Sequence, residues 1–189
     1  MKYKDFFSVE FISLLNEKLS GSIETDGIDP DEDLQNSYVD IEDILQKMGF
    51  EVQYEELVGV SGQLNANNNI IINKKEVEER QRFTMAHELG HAFQGQVIAF
   101  RKKDSSSYPE KDQKDEIFAN KFAAQLLMPK ALVVNYAEEY IKEKSLNQNK
   151  LTANSVDEII SHLAEKLKVS VQSMRFRSEN LNLFIKTAE

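Results

Sequence analysis

Apolar residues recur at helical spacing over residues 3–19, where Phe6, Phe7, Phe11, Ile12, Leu14 and Leu15 stand among lysines and acids, and this predicts an amphipathic helix. Residues 20–37 lose that period. They carry Gly21, Gly27, Pro30 and six acids, the composition of a mobile, solvated connector. The helical period returns over residues 39–48 through Val39, Ile41, Ile44, Leu45 and Met48, and Gly49 is placed to stop it. Residues 50–54, FEVQY, then alternate as a strand does. Two more strands, at 63–66 and 69–73, flank an Asn67-Asn68 turn signal, so a three-stranded antiparallel sheet is expected.

From there the pattern is helical. Residues 74–94 place Phe83, Met85, Ala86, Leu89, Ala92 and Phe93 at helical spacing, with Asn73 as the expected N-cap and Gly95 at the end. A polar stretch over 97–114 reads as a loop. Residues 115–129 are amphipathic again, with Ile117, Phe118, Phe122, Ala123, Leu126 and Leu127, and Pro129 ends that helix. Another helix is expected over 130–144, its tyrosines Tyr136 and Tyr140 at core spacing. After a polar loop at 145–154 comes a helix, a Val-Ser break and a second helix over 156–184. The class is α+β and mainly helical. The expected organisation is an N-terminal helix and acidic linker (1–37), a central domain (38–144) and a C-terminal helical segment packed on it (145–189).

Composition changes this picture in three ways. With 189 residues and 41% hydrophobic content the chain is long enough for one packed core. It has no cysteine, so disulfides and thiolate metal sites are excluded and any metal must take histidine and oxygen ligands. The charge of −9 argues against a surface built for nucleic acid, keeps a chain soluble and favours a basic partner. No apolar run approaches the roughly 18 residues of a membrane span, and the N-terminus has scattered charges rather than an export signal. A cytoplasmic protein is expected.

The helix at 74–94 contains His87-Glu88-Leu89-Gly90-His91, an HExxH motif. Residues four apart share a helical face, so His87 and His91 can offer imidazole nitrogens to one metal ion. Glu88 is then placed as a base rather than a ligand, the arrangement of a metallohydrolase. A catalytic zinc site takes three protein ligands as a rule. The longer HExxHxxGxxH pattern fails, because Gln94 and Val97 stand where its glycine and third histidine belong. A later acid is needed. Glu116 is the best candidate, near the start of the 115–129 helix, and it shares a face with Ala119, Asn120 and Ala123, which leave room beside a metal; Asp112 and Asp115 are its rivals.

RFTMAHELGHAF followed by EIFANKFAAQLLMP, in that order and spacing, resembles the ImmA/IrrE family of small zinc-dependent peptidases, and the resemblance extends over roughly 38–140. It implies a zincin-like fold, one Zn2+ held by His87, His91 and Glu116, and Glu88 as the group that activates water. It also implies a protein substrate: a helix-turn-helix transcriptional repressor, cleaved to release genes of a mobile element, phage or conjugative, or of a stress response. The alternative is a non-proteolytic anti-repressor that binds a transcription factor and uses the metal structurally, although such a site would not require Glu88.

Further candidates concern substrate. The Asn-rich strand that begins at Asn69 is a candidate edge for pairing with an extended peptide. Tyr108 lies in the 97–114 loop, a candidate lid, and is a candidate for stabilising the transition state. Asn120, on the Glu116 face, is a third candidate contact. The C-terminal helix pair has helix-turn-helix spacing, with Arg175 and Arg177 available to phosphates, but so small a basic patch on an acidic chain argues against direct DNA binding. His162 reads as a structural or surface histidine.

Overall fold

A computed structural model describes residues 1–19, 26–95, 99–102 and 110–184, with the backbone alone for 99–102 and 110–112. The N-terminal stretch divides: a 3-10 turn at Tyr3–Asp5 precedes α1 (Val9–Leu19), because Ser8 accepts the Phe11 N–H at 3.1 Å and starts a new helix. The expected connector is packed from residue 26 onward. Ile28 is buried, its N–H and carbonyl are both held by the Asn16 side chain, and the Tyr3 and Lys4 N–H groups donate to the Glu32 and Pro30 carbonyls. Asp40 then caps α2 (Ile41–Lys47) by accepting the Asp43 N–H, and Gly49, at a φ of 76°, turns the chain out of it.

The sheet is four-stranded and mixed, which departs from the three antiparallel strands expected. Its order is β1-β3-β2-β4, with β1 (Glu51–Glu55) parallel to β3 (Asn69–Asn73), β2 (Val60–Asn65) antiparallel to β3, and β4 (Ala99–Lys102) antiparallel to β2. The β2–β3 hairpin forms as expected, and Asn67 and Asn68 both take positive φ, 71° and 57°. Burial explains why β3 rather than β2 pairs with β1. Ile70, Ile71 and Ile72 are buried in succession, as a strand covered on both faces must be, whereas β1 is mostly exposed and suits an edge. The Asn-rich strand is therefore internal, and its two flanks already pair with β1 and β2. Four residues of the expected loop at 97–114 supply β4.

Helix α3 (Glu78–Phe93) lies on the sheet, seated where Gly62 of β2 leaves no side chain: a Cβ there would come within 2.5 Å of Thr84 Cγ2. It starts at Glu78 and not after Asn73, because the Asn73 carboxamide holds the Leu57 and Val60 carbonyls and accepts the Lys75 N–H, forming a turn. Then come α4 (Glu110–Leu127), α5 (Lys130–Glu143), α6 (Ala153–Leu167) and α7 (Val171–Asn180). Thr152 and Ser170 cap the last two helices. One hydrophobic cluster runs from Tyr3 through α2, β3, α3, α4 and α5 to Leu163 and Met174 in the C-terminal helices. Arg175 pairs with Asp157 at 2.9 Å and Arg177 donates to the Met128 carbonyl at 2.9 Å, so both arginines are engaged within the chain. Among the described residues no single helix is long and apolar enough to cross a membrane.

Candidate metal centre

Nine residues of α3 from Arg82 to His91 are buried, and this is unusual company for an arginine, a glutamate and two histidines. Arg82 explains how the helix is fixed. Its guanidinium donates to the Val39 carbonyl at 2.8 Å and to the Lys168 carbonyl at 3.2 Å, and lies 4.6 Å from the centre of the Tyr38 ring. One side chain thus ties α3 to the segment before α2 and to the α6–α7 turn, and burial pulls its pKa down from the usual arginine value.

The face of α3 that carries His87 and His91 meets α4. Gly90 makes the approach possible. A Cβ at that position would lie 3.0 Å from the Ala119 Cα and 3.2 Å from the Phe122 ring, closer than an ordinary contact. The contact brings Glu116, a turn before Ala119, to the histidines. Its Oε2 is 3.3 Å from His87 Nε2 and its Oε1 is 3.2 Å from His91 Nε2, while the two Nε2 atoms are 3.0 Å apart. All three donor atoms lie within 4.8 Å of one another. His87 is 0% exposed, His91 2%, and the Glu116 side chain 13%, so the cluster sits just beneath the surface. Burial pushes the Glu116 carboxyl up, but hydrogen bonding and charge from His87 and His91 outweigh it and hold it down at about 2.

The donor set suits a metal ion. Two imidazole nitrogens and one carboxylate converge on a single point, the nitrogen and oxygen chemistry of zinc and its neighbours, in a chain with no thiol to compete. These three residues could therefore hold a metal. The partner of His87 fits as well: Asn120 Oδ1 lies 3.2 Å from Nδ1, on the side of the ring away from the cluster. Glu88, beside His87 on α3, is 0% exposed.

His87, His91 and Glu116 come together. Of the two rival acids, Asp115 instead accepts from Gln94 Nε2 at 3.4 Å, and the Asp112 side chain falls outside the described residues. Asn120 stays at the site but against a histidine ring. Asn69 belongs to the internal strand, its Oδ1 buried without a hydrogen bond. Tyr108, with residues 103–109, lies outside the described residues. His162 packs its ring 4.5 Å from that of Tyr140. Sequence reasoning missed Gly90 and Arg82. The glycine's signal was its place inside a helix that otherwise favours side chains, and the arginine's was its place among apolar positions.

The family model described as Peptidase_M78, IrrE N-terminal-like domain, matches residues 39–179, and the chain belongs to this family of metallopeptidases. The match runs through α6 and α7 almost to the end of α7. No curated protein matches the sequence.

Proposed function

We propose that this chain is a zinc-dependent endopeptidase of the cytoplasm that cleaves a helix-turn-helix transcriptional repressor and so releases genes of a mobile element or a stress response. The observation that carries the reading is the convergence of His87, His91 and Glu116, with Glu88 beside them on the same helix. Family membership supports a peptidase, and its IrrE-like character supports a repressor as substrate. A net charge of −9 favours a basic partner such as a DNA-binding protein.

A zinc ion at this centre would polarise the scissile carbonyl and acidify the attacking water. The remaining steps fall to the protein. His87, His91 and Glu116 would be the residues that hold the ion. Glu88 takes the proton from water and returns it to the leaving amine, a shuttle that a buried carboxylate fixed on a helix is suited to perform. An extended peptide would find its main-chain partners at a sheet edge, and among the described residues the edges of this sheet are β1 and β4.

The test compares wild type with Glu88→Gln expressed in the native cell, with mass spectrometry of newly formed protein N-termini. A repressor fragment made by wild type and absent with Glu88→Gln is expected, while the purified variant keeps about one zinc per chain. Cleavage at an equal rate by both would contradict Glu88 as the base. A full set of released genes with no fragment in either would favour a binding protein instead.

A further inference from the structure

The outer edge of β1 is open. The Glu51 N–H donates to the Asn68 carbonyl at 3.0 Å, and the Glu55 carbonyl accepts from the Lys74 N–H at 2.9 Å. In a parallel ladder alternate residues turn both main-chain groups to the same neighbour, so Glu51, Gln53 and Glu55 face β3 while the N–H and C=O of Val52 and Tyr54 face outward. No strand pairs with that side among the described residues. The strand has no proline, and its pairing with β3 is regular from Glu51 to Glu55, whereas the β2–β4 pairing shifts register between Val60 and Gly62. Carboxylates guard the edge instead. Glu51, Gln53 and Glu55 share one face and are exposed. Glu56 is taken by Lys74 and Lys75, at 3.8 and 2.7 Å, but Glu51 and Glu55 form no ion pair among the described residues. On the other face Val52 is half-buried against the core, and Tyr54 is 42% exposed with its hydroxyl donating to Glu42.

These features select what the edge can pair with. A second copy is a poor occupant: two β1 strands meeting antiparallel about Gln53 would set each Glu51 against a Glu55 of the other, like charges in direct opposition. A basic strand reverses that sign. We propose that the outer edge of β1 is an exosite that takes up a basic, extended segment of the protein substrate as an added antiparallel strand. The substrate as its source rests on the peptidase reading above. The register follows from the ladder. Val52 and Tyr54 exchange main-chain bonds with the incoming strand, which leaves Glu51 and Glu55 at the non-hydrogen-bonded positions, where opposite side chains come closest. The residues facing those two acids are four apart and are lysine or arginine. The residues facing Val52 and Tyr54 are apolar, so the segment reads basic, apolar, any residue, apolar, basic. Helix α3, with His87 and His91, lies against β2, β3 and β4, while β1 packs on α2, so the segment docks beside α2 and not on the metal centre.

Amide NMR of the full chain, titrated at low ionic strength with a terminally blocked Lys-Val-Thr-Val-Lys peptide, tests this. The amides of Val52 and Tyr54 should shift to saturation and exchange more slowly with solvent. A Glu-Val-Thr-Val-Glu peptide should bind about tenfold more weakly, because two facing ion pairs become repulsions. Glu51→Lys combined with Glu55→Lys should weaken the lysine peptide by about tenfold and reverse the preference between the two. Val52→Pro, which removes an outward N–H that β3 does not use, should weaken both. In cells the charge-reversed chain should form the repressor fragment more slowly at unchanged zinc content, and an unchanged rate would overturn the exosite. Equal binding of the two peptides, shifts confined to β4 or the metal centre, or concentration-dependent shifts at Val52 and Tyr54 without peptide, the mark of a second copy, would overturn it as well. A lysine peptide bound at β1, with no repressor fragment even from wild type, would overturn the peptidase reading and leave β1 as a docking edge for a basic partner.

Discussion

Gly90→Ala measures how much slack the contact between α3 and α4 has. The new Cβ would stand 3.0 Å from the Ala119 Cα, 3.2 Å from Phe122 Cδ1 and 3.3 Å from Phe122 Cβ, where ordinary contacts begin at 3.4 Å. The ring has little room to swing, because Phe122 is 5% exposed and packs against Phe93, Phe118 and Phe11. Ala119 Cα is backbone and yields only if the helix moves. Alanine gains about 1 kcal/mol over glycine in a helix interior. Overpacking of a dense core costs about 1–3 kcal/mol. The net is a loss of about 1 kcal/mol, or roughly 2–4 °C in Tm for a chain of this size. Displacing α4 by a few tenths of an ångström also draws Glu116 away from His87 and His91. Zinc affinity should therefore fall on the order of tenfold, a change comparable to disturbing the support of a ligand. Thermal unfolding of the metal-free protein and chelator competition read the two effects separately. A Tm raised by the full helix-propensity gain, with zinc affinity unchanged, would show that the helices are not in tight contact and that Gly90 does not set the ligand spacing.

Two further outcomes follow from the same geometry. Arg82→Met keeps much of the apolar stem but removes two charged hydrogen bonds to carbonyls, and urea unfolding should show a loss of about 2–4 kcal/mol; a loss below about 0.5 kcal/mol would mean that water replaces the guanidinium freely. In the metal-free protein the Glu116 carboxylate, held down at about 2 against an ordinary 4.5, contributes stability that is complete above pH 4.5 and lost as pH falls toward 2. Glu116→Gln should flatten that acid arm of the stability curve, and an unchanged arm would place the dependence on other carboxylates.

Much of the centre was legible in the sequence because it is local. His87 and His91 share a helical face by spacing alone, and the small residues after Glu116 marked the face of α4 that turns inward. The same spacing put Asn120 near the centre, but its approach to His87 Nδ1 depends on how α4 packs against α3. The sheet was less legible because strand order is set by distant partners. Nothing local to residues 50–54 says that they pair with β3 in parallel, and residues 99–102 form a strand only because β2 offers them an edge. The continuous Ile70-Ile71-Ile72 run did hold the clue, since a strand apolar on both faces belongs inside a sheet. The connector misled in the opposite direction. Its acids and glycines read as solvated, yet one apolar residue, Ile28, bracketed by Asn16, pins its second half to the core. Arg82 was hidden for a related reason, its partners being main-chain carbonyls 43 and 86 residues away.

Elemental analysis of the protein purified without added metal, beside Glu116→Ala prepared in the same way, bears most directly on the centre. About one zinc per wild-type chain, lost from the variant while its circular dichroism is unchanged, is the expected result. A wild type that carries no metal and takes none up, or a variant that retains the full complement, would contradict a centre built from His87, His91 and Glu116.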